Sequence, residues 1–92
     1  MNGDRAQVVV SNLFFDALKE VKSKRTLDDI ARKLELLASF PDMGRMATSA
    51  SVTSRFGNGV RTLVCGNCVL VYRHSEEVVH VLALYPARLV VH

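Results

Sequence analysis

VRTLVCGNCVLVYRHSEEVVHVLALYPAR, residues 60–88, is the stretch that decides the fold. It contains three runs rich in β-branched and aromatic residues, separated by turn-forming residues: VRTLV at 60–64, VLVYRH at 69–74 and VVHVLALY at 78–85. Runs of this length and composition predict β-strands. The stretch therefore predicts a three-stranded antiparallel meander, and Pro86 is expected to stop the last strand.

The first connection of the meander is the dipeptide Gly66-Asn67, which favours a tight hairpin with a primed turn. Cys65 and Cys68 are then expected to face each other. A structural zinc site would need two further ligands. The candidates are His74, His80 and His92, and their spacing from the cysteines matches no zinc-finger or zinc-ribbon pattern. A redox dithiol usually lies at a helix N-terminus. The cysteines are therefore interpreted as small apolar residues, with zinc and redox roles as alternatives, and no metal or cofactor is predicted.

Both faces of the predicted meander are apolar. Because successive strand residues point to opposite sides, the middle strand divides into Cys68, Leu70, Tyr72 and His74 on one face and Val69, Val71 and Arg73 on the other. In the third strand, the same alternation groups Leu82 with Leu84, opposite Val79, Val81 and Ala83. A sheet with two apolar faces needs a cover on each of them.

Two amphipathic stretches upstream predict a helical hairpin. Leu13 to Lys22 has apolar residues at the three-and-four spacing of one helical face. A second helix is predicted to begin with Thr26 as its cap and to end before Pro41. Two short helices shield one face only, so the other face is expected to meet another polypeptide.

Residues 42–59 form a linker rich in Ser, Thr, Ala and Gly between the helical part and the meander. Connections of this length are often functional or mobile. A short additional strand is predicted near Ser51 to Phe56.

Size and composition predict a single domain over residues 1–92. Hydrophobic residues make up 49% of the 92 residues, enough to bury a core. No apolar run approaches the roughly 18 residues of a membrane span, and the N-terminus lacks the pattern of a secretory signal. A cytosolic protein without a membrane partner is expected.

The positive charge is confined to the second half of the chain. Residues 1–44 contain seven basic and seven acidic residues, whereas residues 45–92 contain five arginines against two glutamates, which accounts for the net charge of +3. Arginine suits phosphate and carboxylate recognition. These arginines predict a surface that faces a polyanion or an acidic partner. Ordinary surface charge is the alternative interpretation. The five residues are Arg45, Arg55, Arg61, Arg73 and Arg88. Arg61 is also expected to pair with a helix carboxylate, and Tyr72 to be a core aromatic with a bonded hydroxyl.

The predicted elements follow the order strand, helix, helix and three strands. In this order and in four short stretches, the chain resembles the RelE/ParE superfamily of bacterial type II toxins. The stretches are FPDMG, RFGNGVRTL, CVLVYRH and VVHVLALYPARL. The resemblance covers about Gln7 to Leu89. It implies an α+β fold of the order β-α-α-β-β-β, in which the N-terminal helical hairpin packs on one face of a small, mainly antiparallel sheet. It also implies a growth-inhibiting toxin that a cognate antitoxin neutralises by folding onto it, in a hetero-oligomer; a homodimer is left open.

The resemblance assigns target and antitoxin binding to the arginine surface and to the second apolar face. The residues expected to take part are Arg45, Arg55, Arg61, Arg73, Arg88, Val69, Val71, Leu82 and Leu84.

The superfamily divides by target. RelE-like members cut ribosome-bound mRNA with basic groups on the open sheet face, but Val69 stands where they place an arginine, and Val60 and Thr62 stand where they place lysines. The remaining candidates for catalysis are Arg88, Arg73 and His92. ParE-like members bind DNA gyrase, and this chain is more similar to them in Val60-Arg61-x-Leu63 and Tyr72-Arg73.

The resemblance therefore favours a ParE-like inhibitor of gyrase. The first alternative is an endoribonuclease. The second is a catalytically silent interaction module, because Tyr85-Pro86-Ala87-Arg88 replaces the usual His-x-Arg-Arg tip.

Overall fold

The computed structural model describes residues 5–89. Along the chain these form β1 (Gln7–Val10), α1 (Asn12–Leu18), α2 (Lys24–Ser39), β2 (Arg45–Met46), α3 (Ala50–Phe56), β3 (Arg61–Cys65), β4 (Cys68–Ser75), β5 (Val78–Pro86) and a 3₁₀ turn (Ala87–Leu89). The sheet order is β1-β5-β4-β3-β2, with β1 parallel to β5 and every other pair antiparallel. The α+β class and the predicted meander are confirmed. In the described part of the chain, no helix has the length and apolarity needed to cross a membrane.

The two predicted helices are present, but their boundaries differ from the prediction. Ser11 caps α1 by accepting a hydrogen bond from the Phe14 N–H, and its own hydroxyl donates to the Leu82 carbonyl, so the cap also ties α1 to β5. The helix ends at Leu18 rather than at Lys22. Ser23, not Thr26, caps α2. Thr26 is buried instead and bonds to Asn67, which fastens α2 to the β3–β4 turn.

The turn between β3 and β4 has the predicted form. Gly66 adopts φ 59°, as the first position of a primed turn requires. A side chain here would also collide with α2, because a Cβ on Gly66 would lie 2.6 Å from the Thr26 hydroxyl oxygen. Cys65 and Cys68 pair directly across the turn, as expected.

The main core lies between α1, α2 and the face of the sheet that they cover. Ser39 is the last residue of α2, in agreement with the predicted stop before Pro41. The largest side chains of the core are fully buried: Phe14, Ile30, Leu37, Leu70 and Tyr72. This face is the one that the helical hairpin was expected to shield.

The opposite face is covered by α3, and the predicted strand near Ser51 to Phe56 is wrong. Val52 and Phe56, four residues apart, lie on one side of this helix and pack against Val60, Val71 and Ala83. Val52 is 3% exposed, and Val71 is fully buried. The second face is therefore not left open for a partner at its centre, because the linker itself supplies the cover.

A β-bulge changes the side assignment of β5. Tyr72 lies opposite Val81 and Val71 lies opposite Ala83, so Leu82 is an extra residue between them. Beyond a bulge, the alternation of side chains shifts by one position. Leu84 consequently packs in the main core, while Leu82 packs beside α3. The predicted grouping of Leu82 with Leu84 on one face is wrong for this reason.

Candidate functional site

Arg73 is used to hold α3 in place. Its guanidinium donates from Nη2 to the Phe56 carbonyl at 2.5 Å and from Nη1 to the Asn58 carbonyl at 3.2 Å. Carbonyl groups at the end of a helix lack partners within the helix. Arg73 therefore acts as a side-chain cap for the C-terminus of α3.

Arg61 is also anchored within the chain. Its Nη1 donates to the Gly44 carbonyl at 2.8 Å and to the Asp42 carbonyl at 3.3 Å, and its Nε lies 3.6 Å from Asp42 Oδ1. The predicted pairing with a carboxylate is found, but the carboxylate belongs to the linker and not to a helix. Arg61 therefore fixes the start of the linker against β3.

Three predicted site arginines remain exposed to solvent. Arg45 lies on β2, Arg55 in the last turn of α3 and Arg88 in the 3₁₀ turn after β5. Within residues 5–89, none of the three forms a salt bridge or a side-chain hydrogen bond. Of the five predicted site arginines, these three are available to an anionic partner.

His74, Asp42 and the neighbouring Tyr72 form a polar cluster that anchors the linker. His74 Nδ1 lies 2.9 Å from Asp42 Oδ1, and Nε2 lies 2.8 Å from the Glu76 carbonyl oxygen. Both of these partners are acceptors, so only the imidazolium form can donate to both. The hydrogen bond from His74 lowers the pKa of the Asp42 carboxyl.

The buried Tyr72 hydroxyl accepts the Gly44 N–H at 2.8 Å, and burial raises the pKa of this phenol. Tyr72 is thus the bonded core aromatic that the sequence predicts. A Cβ on Gly44 would lie 2.7 Å from the Tyr72 hydroxyl oxygen, so this approach needs glycine.

The candidates for catalysis are not brought together. Arg88 follows Ala87, whose N–H donates to the Asn67 carbonyl at 2.8 Å, so it lies at the β3–β4 turn. Arg73 lies near the other end of β4, five residues beyond Cys68, a separation of about 17 Å along a strand. His92 lies outside the described residues.

Four apolar residues of the predicted binding surface lie within the protein. Val69, Val71 and Leu84 are 5%, 0% and 5% exposed, and Leu82 is half-buried beside α3. The expectation that they form an open apolar surface is wrong, because α3 and the bulge were not foreseen.

The cysteines occupy the main core as free thiols. Burial raises the pKa of Cys65 to about 11, which disfavours the thiolate that redox chemistry and zinc binding need. Among the described residues, no group of three His, Cys, Asp or Glu side chains could hold a metal ion.

A groove of about 890 Å³ lies at the end of the sheet next to Arg88. Its walls come from the end of α1, the α1–α2 turn, the β3–β4 turn and the end of β5. A second depression of about 680 Å³ lies beside β2 and α3 and includes Arg45 and the exposed Val64. Sequence reasoning missed both sites, since each combines segments that are far apart along the chain.

Comparison with known proteins adds two findings. The family model described as "ParE toxin of type II toxin-antitoxin system, parDE" matches residues 8–88. Among solved structures, the fold is similar to the toxin–antitoxin complex RelBE2 from Mycobacterium tuberculosis, with a TM-score of 0.71 and 17% identity over 89% of this chain and 98% of that chain. A search of curated protein sequences gives no significant match.

Proposed function

Because the chain belongs to the ParE toxin family of type II toxin–antitoxin systems, we propose that it inhibits growth by binding DNA gyrase and that a cognate antitoxin neutralises it. Inhibition in this proposal is a binding event without chemistry by the chain itself. Gyrase acts on the chromosome, so the proposed site of action is the cytoplasm.

The cover over the second sheet face is the observation that best supports a non-enzymatic function. An RNA-cleaving site needs basic and acid–base groups that reach the substrate. Here α3 covers the centre of that face, and its Val52 packs against Val60 and Val71 of the sheet side. Arg73, the nearest cation on β4, donates to the carbonyls at the end of α3. An mRNA strand at this surface would meet the outer side of α3, and the sheet beneath it would be out of reach.

The exposed arginines are proposed to contact the target. Arg88 is favoured because it lies at the rim of a groove, where a contact can be shielded from water, and has no partner within residues 5–89. Arginine is enriched among the residues that dominate binding energy. We expect Arg88→Ala to weaken inhibition of gyrase by about tenfold or more without loss of folding.

The test combines two readouts on one set of proteins. Purified chain is added to a gyrase supercoiling reaction, and transcript integrity is measured in cells that express the chain alone. We expect inhibited supercoiling and intact transcripts. Arg25→Ala, which removes an exposed arginine from α2, is the matched control and is expected to inhibit like the unmodified chain.

Cleaved transcripts together with unaffected supercoiling would replace this proposal with the endoribonuclease. A chain that neither arrests growth nor inhibits gyrase would support the silent interaction module.

A further inference from the structure

We propose that the groove next to Arg88, here called the end groove, is the docking site for a partner segment that is apolar and bears a carboxylate. This inference rests on the proposed function, since it assigns the segment to the antitoxin. The residues that define the end groove are Ala17, Val21, Leu84, Pro86, Ala87 and Arg88.

The walls of the end groove suit apolar side chains. The last turn of α1 and the following residues contribute Ala17 and Val21 on one side, and the end of β5 contributes Leu84 and Pro86 on the other. A volume of about 890 Å³ falls within the range of ligand sites and holds several side chains. When apolar side chains replace water in such a site, binding becomes more favourable roughly in proportion to the apolar area that is buried.

The charges of the groove select an acidic occupant. Lys22 and Arg88 line it together with a single carboxylate, Glu20. Neither Lys22 nor Arg88 forms a salt bridge within residues 5–89, so a carboxylate from outside can pair with each of them. Complementary charge at the rim of an apolar site fixes the orientation of a partner and raises its rate of association.

A second copy of the chain fits this site poorly. Two end grooves facing each other across a two-fold axis would bring Lys22 and Arg88 of both copies together, and the whole chain carries a net charge of +3. Juxtaposed like charges disfavour such an interface. A separate acidic segment meets no such repulsion.

Docking in the end groove would also account for neutralisation. A segment that pairs with Arg88 removes from solvent the arginine that is proposed to contact gyrase. Antitoxin and target would then compete for one side chain, and no change in the fold of the toxin would be needed.

The experiment uses two probes on the full chain. The first is anilinonaphthalene sulfonate, a fluorescent molecule that combines an apolar ring system with an anionic group. The second is the polypeptide encoded by the open reading frame adjacent to that of the chain. We expect the dye to bind the free chain and the polypeptide to displace it.

Ala87→Glu places a negative charge in the end groove and leaves the backbone bond from the Ala87 N–H to Asn67 possible. Ala31→Glu is the matched control, because it makes the same substitution at an exposed alanine of α2 that lines neither the end groove nor the second depression. We expect Ala87→Glu to weaken the binding of both probes about tenfold or more, while Ala31→Glu leaves the binding of both unchanged. Thermal unfolding of each variant shows whether it is folded.

Equal effects of the two substitutions, with both variants folded, would overturn the docking site. So would dye binding that the polypeptide does not displace, because the groove would then bind small apolar anions and not the antitoxin. Gyrase inhibition by the free chain is measured in parallel. Loss of the docking site with intact inhibition refutes this inference alone, whereas intact docking without inhibition refutes the proposed target alone.

Discussion

The two faces of the sheet are covered in different ways. On one face, α1 and the 16-residue α2 bury large side chains such as Phe14 and Leu37. On the other, the seven-residue α3 buries Val52 as its only fully enclosed residue. Isolated helices of this length are marginal in water, so α3 depends on contacts with the sheet. The comparison indicates one cover that stabilises the fold and a second cover that the fold holds in place.

The largest effect is expected from the first cover. Phe14→Ala removes a ring that is 1% exposed in the main core, and truncation of a buried phenylalanine costs about 3–5 kcal/mol. A domain of this size has a free energy of unfolding of about 5–15 kcal/mol. Urea denaturation should show a large drop or an unfolded chain. A loss below about 1 kcal/mol would contradict the assignment of this face as the main core.

A matched substitution compares the two faces directly. Val81→Ala on the first face should cost about 2 kcal/mol, and Val52→Ala on α3 about 1 kcal/mol, because α3 can shift to fill the space left behind. Both valines are buried, at 0% and 3% exposure. The difference between their denaturation midpoints is the measurement. Equal losses would mean that α3 is as firmly packed as the helical hairpin.

Arg73→Met tests how α3 is held. The substitution keeps a long side chain but removes the donors to the Phe56 and Asn58 carbonyls. We expect a loss of about 1–2 kcal/mol, since the usual net value is about 1 kcal/mol for each of the two hydrogen bonds removed. Hydrogen exchange should accelerate in residues 50–56 and stay unchanged in α2. Arg55→Met, at an exposed arginine on the same helix, is the control and should leave exchange as it is.

The difference between the covers also explains which features of the fold are predictable. The meander and the helical hairpin follow from period-two and period-3.6 patterns that extend over many residues. The helix α3 has only Val52 and Phe56 as apolar anchors in a segment rich in serine and threonine. Such a segment does not differ from a loop in composition, and its helical state depends on the sheet beneath it. The β5 bulge has no local signal either, because the pairing of two strands decides it.

Within the candidate site, Arg88 is exposed and its binding role stays a prediction, whereas Arg61 and Arg73 hold the linker in place. Their partners are backbone carbonyls of the linker. Any residue supplies a carbonyl, so no residue type marks such a partner in advance. An arginine beside a long linker is therefore weaker evidence for binding than an arginine beyond the last strand.

The smallest effects concern acid stability, through two carboxyl groups whose pKa values are lowered in the fold, Asp29 and Asp42. Asp29 accepts hydrogen bonds from Arg32, Lys33 and the Gly66 N–H, which together lower its pKa and lock the β3–β4 turn to α2. Asp42 is held mainly by His74, at the linker that leads to α3.

A carboxyl whose pKa is lower in the folded chain stabilises the fold above its ordinary pKa, near 3.8, and loses that contribution as the pH falls through the folded value. An asparagine cannot ionise and lacks this contribution, so Asp29→Asn and Asp42→Asn should each flatten the fall in stability as the pH drops below about 5. We expect the larger flattening for Asp29, because three donors act on it, including a backbone N–H. Urea midpoints across this range measure both slopes. A steeper dependence for Asp42 would show that the linker, and not the turn beneath the helical hairpin, is the more strongly charge-stabilised part of the molecule.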